Sequence, residues 1–468
     1  MTDIISQLGG LAEKLIPNPT AKVRKSFKTF VIDTMILFTV MQKTNFTQLG
    51  AFGSLTEKTY RTHFENDRID MVSFNLNLAK RYFAGSYGVK ALAIDPSYMD
   101  KTGKHSPFNG YFWSGKAGAA KWGQEILGVG IVDSEKHECF MLGGFQTPDS
   151  KTLSSDSVVI GGGETKHIVG IEAIKDLDHV KDILGDIDTT RPYHKVKDAE
   201  KIKAENKLRA TEEQKGFTLV DWYIHILNCL PNDVFEYTNR VVADAFFAKE
   251  KFVTALAKMG LKVICRMRDD AALWYLYRGF KTGKPGAPQK YDGKVDVNNL
   301  NMKVFFKIDY SLDGGECYAG RVYSKSLKCE VKVVIWYSKD RKTHKIFFSN
   351  DLTLAGADIV KTYRSRFQIE FEFRNSKGYA SLTKCQARST NKFRMHVNMS
   401  FTSLNCLKMV AKENGIPHSI SNLKTIAHGQ YLMKRFICVS GIKPDDEIIK
   451  KLNNEVVALT TLDIGLVA

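Results

Sequence analysis

The 468-residue sequence is 43% hydrophobic and 25% charged, a balance that excludes disordered and fibrous classes and suits two or three domains with sizeable cores. Its 68 Lys and Arg against 51 Asp and Glu leave +17, which favours a polyanionic partner, nucleic acid first. Eight scattered cysteines with no CxxC pair or His-Cys cluster argue against a zinc site or a disulfide framework, and the longest apolar run, Phe30–Val40, is short and interrupted by Asp33.

A reducing, cytoplasmic setting is therefore expected, and the first ten residues, MTDIISQLGG, lack a basic stretch followed by an apolar core. Residues 21–43 read as an amphipathic helix with a basic start. Asn45–Phe64 then offers two short helices around a Gly50–Gly53 turn, the second capped by Ser54 or Thr56. A helix-turn-helix would present Lys58, Thr59 and Arg61 outward, whereas a plain helical hairpin with a Ser54–Glu57 capping box fits the same residues.

From Val89 an apolar run ends on Asp95 and is broken by Pro96, so a strand delivers a carboxylate at its carboxyl end. Residues 101–123 read as a Gly-, Lys- and aromatic-rich loop bordering the site. Glu125–Asp133 and 139–145 complete a three-strand meander. Residues 146–160 are polar, 195–215 form a solvated charged helix, and Phe217–Leu230 is a core helix. Residues 239–270 read as strand, loop, helix, strand, with Asp244 closing the first strand and Arg266 and Arg268 alternating along the second. Between 282 and 350 a Gly/Pro-rich start gives way to β-branched and aromatic runs with short turns, an all-β insertion that contains Trp336.

Ile359–Lys377 comes next. Tyr363, Arg366, Glu370 and Lys377, spaced by three, four and seven residues, fall on one stripe of a single helix. Two cations beside the acid favour its ionised form and leave positive charge facing whatever the acid works on. A solvated helix with an Arg366–Glu370 pair fits these four residues alone equally well. The excess charge concentrates here, since residues 361–412 hold eleven Lys or Arg and two acids, Glu370 and Glu372. A basic, apolar-periodic helix follows at Phe393–Glu413 and a second helical stretch at Ile420–Val439.

The spacing Tyr-x2-Arg-x3-Glu-x6-Lys resembles the YREK signature of bacterial insertion-sequence DDE transposases of the IS-four group. That resemblance implies a ribonuclease-H-like α/β (α+β) mixed sheet flanked by helices, and the strand and helix order from 89 to 390 suits it. Its first and fourth strands lie side by side, so Asp95 and Asp244 would meet. The implied layout is a helical DNA-binding domain at 1–85, a catalytic core at 86–281 and 351–390, the all-β insertion at 282–350, and a helical C-terminal region at 391–468.

By resemblance, Asp95, Asp244 and Glu370 are the catalytic carboxylates holding two Mg²⁺ or Mn²⁺ ions. Such an all-oxygen set suits these metals, about 3.5 to 4 Å apart, for in-line phosphoryl transfer. Tyr363, Arg366 and Lys377 would hold DNA phosphates, and Trp336 would stack on a flipped base, although a sheet-packing role suits that residue too. Arg266 and Arg268 either contact phosphates or pair with Asp269 or Asp270. Asp100, Asp133, Asp269 and Asp270 compete as ligands but end no comparable strand with a helix-facing partner.

The expected partner is double-stranded DNA, both the terminal inverted repeats of the element and target DNA, engaged by a homodimer in a nucleoid-associated complex. The C-terminal helices would either pair two subunits or pack on the core. A cut-and-paste reaction through a hairpin is implied. A nuclease of the same fold without strand transfer, and a non-catalytic DNA-binding derivative, are the alternatives.

Overall fold

The computed structural model describes residues 3–15, 25–66, 69–103, 105–148, 218–279, 289–416, 419–443 and 445–462. The charged segment expected as a helix at 195–215 lies outside them, as does most of 146–160. All eight cysteines are free thiols.

The chain opens with α1 (Ile4–Glu13), α2 (Lys25–Val40), α3 (Phe46–Phe52), α4 (Glu57–His63) and α5 (Met71–Tyr82). A Cβ at Gly50 would lie 2.8 Å from the Glu57 nitrogen, so glycine permits the close approach of α3 to α4. Thr56 caps α4, accepting from the Thr59 N–H at 3.3 Å. The Ser54–Glu57 capping box does not form: the Ser54 N–H donates to Asp33 at 2.7 Å and Glu57 accepts from Arg61 Nε at 2.9 Å.

A meander follows in β1 (Lys90–Asp100), β2 (Gly110–Ser114), β3 (Ala119–Asp133) and β4 (Glu138–Thr147). Two expectations are corrected here. β1 does not stop at Asp95 but runs through Pro96 to Asp100, paired with β3 along its whole length. Among the described residues its other edge has a partner only at Leu92 and Ala93, and a strand unpaired on one side tolerates proline. Residues 101–123 are not all loop, because β2 and the start of β3 pair from Gly110↔Gly123 to Ser114↔Ala119.

Next come α6 (Leu219–Asn228), α7 (Asn232–Tyr237), β5 (Arg240–Val242), α8 (Glu250–Lys258) and β6 (Lys262–Met267). β7 (Leu273–Leu276), β8 (Tyr291–Lys294), β9 (Phe306–Lys307), β10 (Glu316–Ser324), β11 (Cys329–Tyr337) and β12 (His344–Ser349) form the insertion. Its first strand precedes residue 282, and it is no separate sheet. β12 pairs antiparallel with β6, so one twelve-stranded sheet runs β2-β3-β1-β5-β6-β12-β11-β10-β7-β8, with β4 on β3 and β9 on β10. The segment β4-β3-β1-β5-β6, with β5 parallel to both neighbours, is the ribonuclease-H-like core of this mixed α+β fold.

The single helix expected over Ile359–Lys377 is two, α9 (Gly356–Ser365) and α10 (Gln368–Tyr379). Neither glycine nor proline breaks it. The N–H groups of Ile369 and Glu370 bond three residues back, to the Arg366 and Phe367 carbonyls, a tightened turn. α9 lies chiefly on β6, β11 and β12 and also meets β3, while α10 lies on β1, β3 and β4, so the bend lets one helical path follow a twisted sheet. α11 (Thr390–Glu413), α12 (Ile420–Ser440) and α13 (Asp446–Leu462) close the chain. α11 is buried along most of its length against β4, α2 and α5, and α12 contacts α2, so the terminal helices interleave.

Alternation along β1 divides the core: Ala91 and Ala93 face the apolar layer under α9 and α10, and Leu92 and Ile94 face the layer shared with the terminal helices. On the first face Gly128 and Gly144 stand directly opposite each other. A Cβ at Gly128 would lie 2.5 Å from the Phe373 ring, and one at Gly144 2.6 Å from Phe401 and Val397, so the glycine pair sets how closely α10 and α11 approach. Gly128→Ala is expected to cost about 1–3 kcal/mol by overpacking. A denaturant titration with an unchanged midpoint would refute this.

Candidate active site

Parallel pairing of β1 with β5 aligns Ala93 with Val242. Two residues beyond each lie Asp95 and Asp244, so the register brings both acids to one level at the sheet's carboxyl edge. Asp244 lies just past β5 rather than closing it, and its Oδ1 accepts from the Phe246 N–H at 3.0 Å, opening a short 3₁₀ turn. Asp95 shares the face of Ala91 and Ala93, toward α10.

Arg366 joins the helices to this edge. Its Nη1 lies 3.3 Å from Asp95 Oδ1 and its Nη2 2.9 Å from Glu370 Oε1, with the guanidinium largely buried and its Nε without a partner among the described residues. Burial raises Asp95 to about 7, with Arg366 and Lys377 opposing and the charges of Glu370 and Asp244 adding. All three acids therefore belong to one electrostatic cluster. Tyr363 is raised chiefly by burial, and its ring lies 5.1 Å from Phe347 and 5.9 Å from the Arg366 guanidinium. Lys377 Nζ donates to Ser97 Oγ at 2.8 Å and the Tyr98 carbonyl at 2.9 Å, and burial lowers its pKa. Arg366 and Lys377 thus bind β1 directly, whereas Tyr363 packs on Phe347 of β12 and Glu370 reaches the strand through Arg366; Lys377 is held by backbone and hydroxyl and not free over the acids.

The remaining expected residues lie apart from this knot. Arg266 bonds Asp269 at 3.1 Å and Arg268 bonds Asp270 at 3.3 Å, the pairing alternative for each. Arg266 still neighbours the site, opposite Phe347 in the sheet. Trp336 is 7% exposed, its indole N–H donates to the Leu312 carbonyl at 2.7 Å, and Lys345 Nζ lies 5.0 Å from its ring. This is the sheet-packing arrangement, with no ring face presented for a base. On α4 Lys58 and Arg61 are exposed, Arg61 pairs with Glu57 and lies over Phe46, and Thr59 bonds Thr56. Sequence reasoning missed Ser97 and Tyr98 as anchors of Lys377, because ending the strand at Asp95 removed them from the sheet.

Among the described residues no three His, Cys, Asp or Glu side chains converge at metal-ligand spacing. The donors nevertheless fit a hard divalent cation. All are carboxylate oxygens, and the charges of Arg366 and Lys377 do not offset the burial and acidic neighbours that hold Asp95 at about 7. Asp95, Asp244 and Glu370 would hold such an ion.

A mixed sheet with Asp95 and Asp244 at the carboxyl edge of two adjacent parallel strands is the architecture of the ribonuclease-H-like class. A family model described as DDE superfamily endonuclease matches residues 56–299, just over half of the chain, and the chain belongs to that superfamily. A second model, Transposase DDE domain, matches residues 220–406, which include Asp244 and Glu370. No curated protein matches the chain. These families act on DNA and generally use divalent metals.

Proposed function

We propose that the chain is a DDE transposase of the IS-four type that cuts the ends of its own element and joins them to target DNA. The observation that carries this reading is the Arg366 guanidinium bridging Asp95 and Glu370 at the edge where β1 and β5 bring up Asp95 and Asp244. A bound pair of Mg²⁺ or Mn²⁺ ions supplies activation of the attacking oxygen and stabilisation of the leaving one.

The chain's own residues do the rest. Asp95, Asp244 and Glu370 fix the negative charge that holds the ions. Arg366 keeps the two outer carboxylates in register and offers charge to an entering phosphate, and Tyr363 offers a hydroxyl beside it. Lys377, anchored on Ser97 and Tyr98, holds the strand that carries Asp95 and adds positive charge at its edge. Dimerisation over two DNA ends is supported by the exposed Leu432, Phe436 and Val439 on α12 and Ile448 and Leu452 on α13, spaced to share helical faces. Among the described residues no helix is long and apolar enough to cross a membrane.

The test is a time course on duplex DNA bearing the element's ends with Mg²⁺ or EDTA, resolving nicked, hairpin and joined products. Metal-dependent cutting followed by joining is expected. Cutting that never yields joined product would leave a nuclease of this fold. Lys377→Ala and Arg366→Ala should each lower the salt slope of DNA binding by about one unit if each neutralises one phosphate. Unchanged slopes in both would remove this helix face from DNA contact.

A further inference from the structure

Residues 105–124 carry two lysines, Lys116 and Lys121, and no acid. Within them β2 pairs with β3 as a two-stranded ribbon whose tip turns at Gly115–Gly118, where Gly118 adopts φ +61°. Pairing places Tyr111 opposite Trp122 and Trp113 opposite Ala120, so all three rings share one face of the ribbon. Tyr111 and Trp113 are each 65% exposed and Trp122 37% exposed. Tyr111 and Trp122 meet edge to face at 5.5 Å, while small residues flank Trp113 and leave its ring uncovered.

Leaving three large rings in water has no folding rationale, since burial of such surface is what drives aromatic residues inward. Three exposed rings on one face, with Lys116 at the turn, suit unpaired nucleobases: the faces stack and Lys116 offers charge to the phosphates, while Lys121 lies on the other face and Asp100 marks the ribbon's base. The ribbon is also tied to the site. It continues β1 five residues past Asp95, Tyr98 hydroxyl lies 2.6 Å from the Trp122 carbonyl, and the Tyr98 carbonyl accepts from Lys377.

We propose that the β2–β3 ribbon is a stacking platform for unpaired bases of the DNA engaged at the acidic site, with Tyr111 and Trp113 its leading faces and Trp122 bracing Tyr111. The proposal rests on the DNA reading above and assigns the ribbon single-stranded or frayed DNA in particular.

The experiment uses the full chain in EDTA with a fluorescent oligo(dT) and a blunt duplex of equal length, at one fixed salt concentration. Tyr111→Ala and Trp113→Ala should each weaken oligo(dT) binding on the order of tenfold and leave the duplex little changed, and Trp113→Phe should keep most of the affinity. Both positions are exposed, and matching melting curves establish that the variants fold. Unchanged oligo(dT) affinity in the double variant overturns the platform. So does equal loss on both probes, which marks a general electrostatic contact, or altered self-association with DNA binding intact, which assigns the rings to a second copy. A wild-type chain that binds the duplex but not oligo(dT) overturns the platform alone, and one that binds neither probe overturns the DNA reading as well.

Discussion

Asp95→Asn, Asp244→Asn and Glu370→Gln are each expected to lower strand cleavage by at least about 10²- to 10³-fold while sparing DNA binding. Each change removes one charge from the cluster that joins Asp95 to Arg366, Glu370 and Asp244 and leaves side-chain shape nearly intact. Near wild-type cutting by any one variant would remove that residue from the site. Asp95 carries a second expectation that does not depend on catalysis. Its folded pKa of about 7 lies above the ordinary carboxylate range, so the folded chain keeps that proton where the unfolded chain releases it. The stability from this group is present below the unfolded pKa and is lost as pH rises through about 7. In EDTA, Asp95→Asn should therefore raise Tm more at about pH 8 than at about pH 4. A Tm difference independent of pH would contradict the buried, charge-deficient setting of Asp95.

Lys408→Met should destabilise the chain by about 3–5 kcal/mol near neutral pH, because it strands a buried carboxylate. Lys408 Nζ lies 2.5 Å from Glu372 Oε1 and also donates to the Cys139 carbonyl at 2.9 Å, with both charged side chains almost wholly enclosed. Burial already raises Glu372, so the loss should shrink toward acid pH, where the stranded acid can protonate. Adding Glu372→Leu to Lys408→Met should recover most of the stability, since an apolar pair needs no partner charge. Additive losses in the double variant would show that the pair is not the source of the effect. The bond ties α10, which carries Glu370, to α11, so loosening it is expected to lower cleavage as well.

The intervals between Tyr363, Arg366, Glu370 and Lys377 were legible because spacing is local, but the single helix expected to carry them is two. Also legible were β1, β3, β4 and the β5–α8–β6 unit, whose buried strands read as apolar runs. The N-terminal helix pair was legible as well, with Thr56 among its two candidate caps; what the sequence left open was the choice, which a distant carboxylate, Asp33, decides by taking the Ser54 N–H. The strand end at Asp95 was misread for a related reason. Proline stops a strand only where both edges are bonded, and the partner's extent along that edge belongs to the assembled sheet.

What the sequence by itself determined, then, is the order of elements, the acids they carry, and the basic stretch around α10. Long-range packing decided the rest. The helix bends at Arg366–Phe367 because its two halves follow different strands of a twisted sheet. The insertion joins the main sheet because β12 pairs with β6. Trp336 turns inward and the rings of Tyr111 and Trp113 turn outward because strand pairing assigns each residue its face, and composition carries no information about which face the fold will cover.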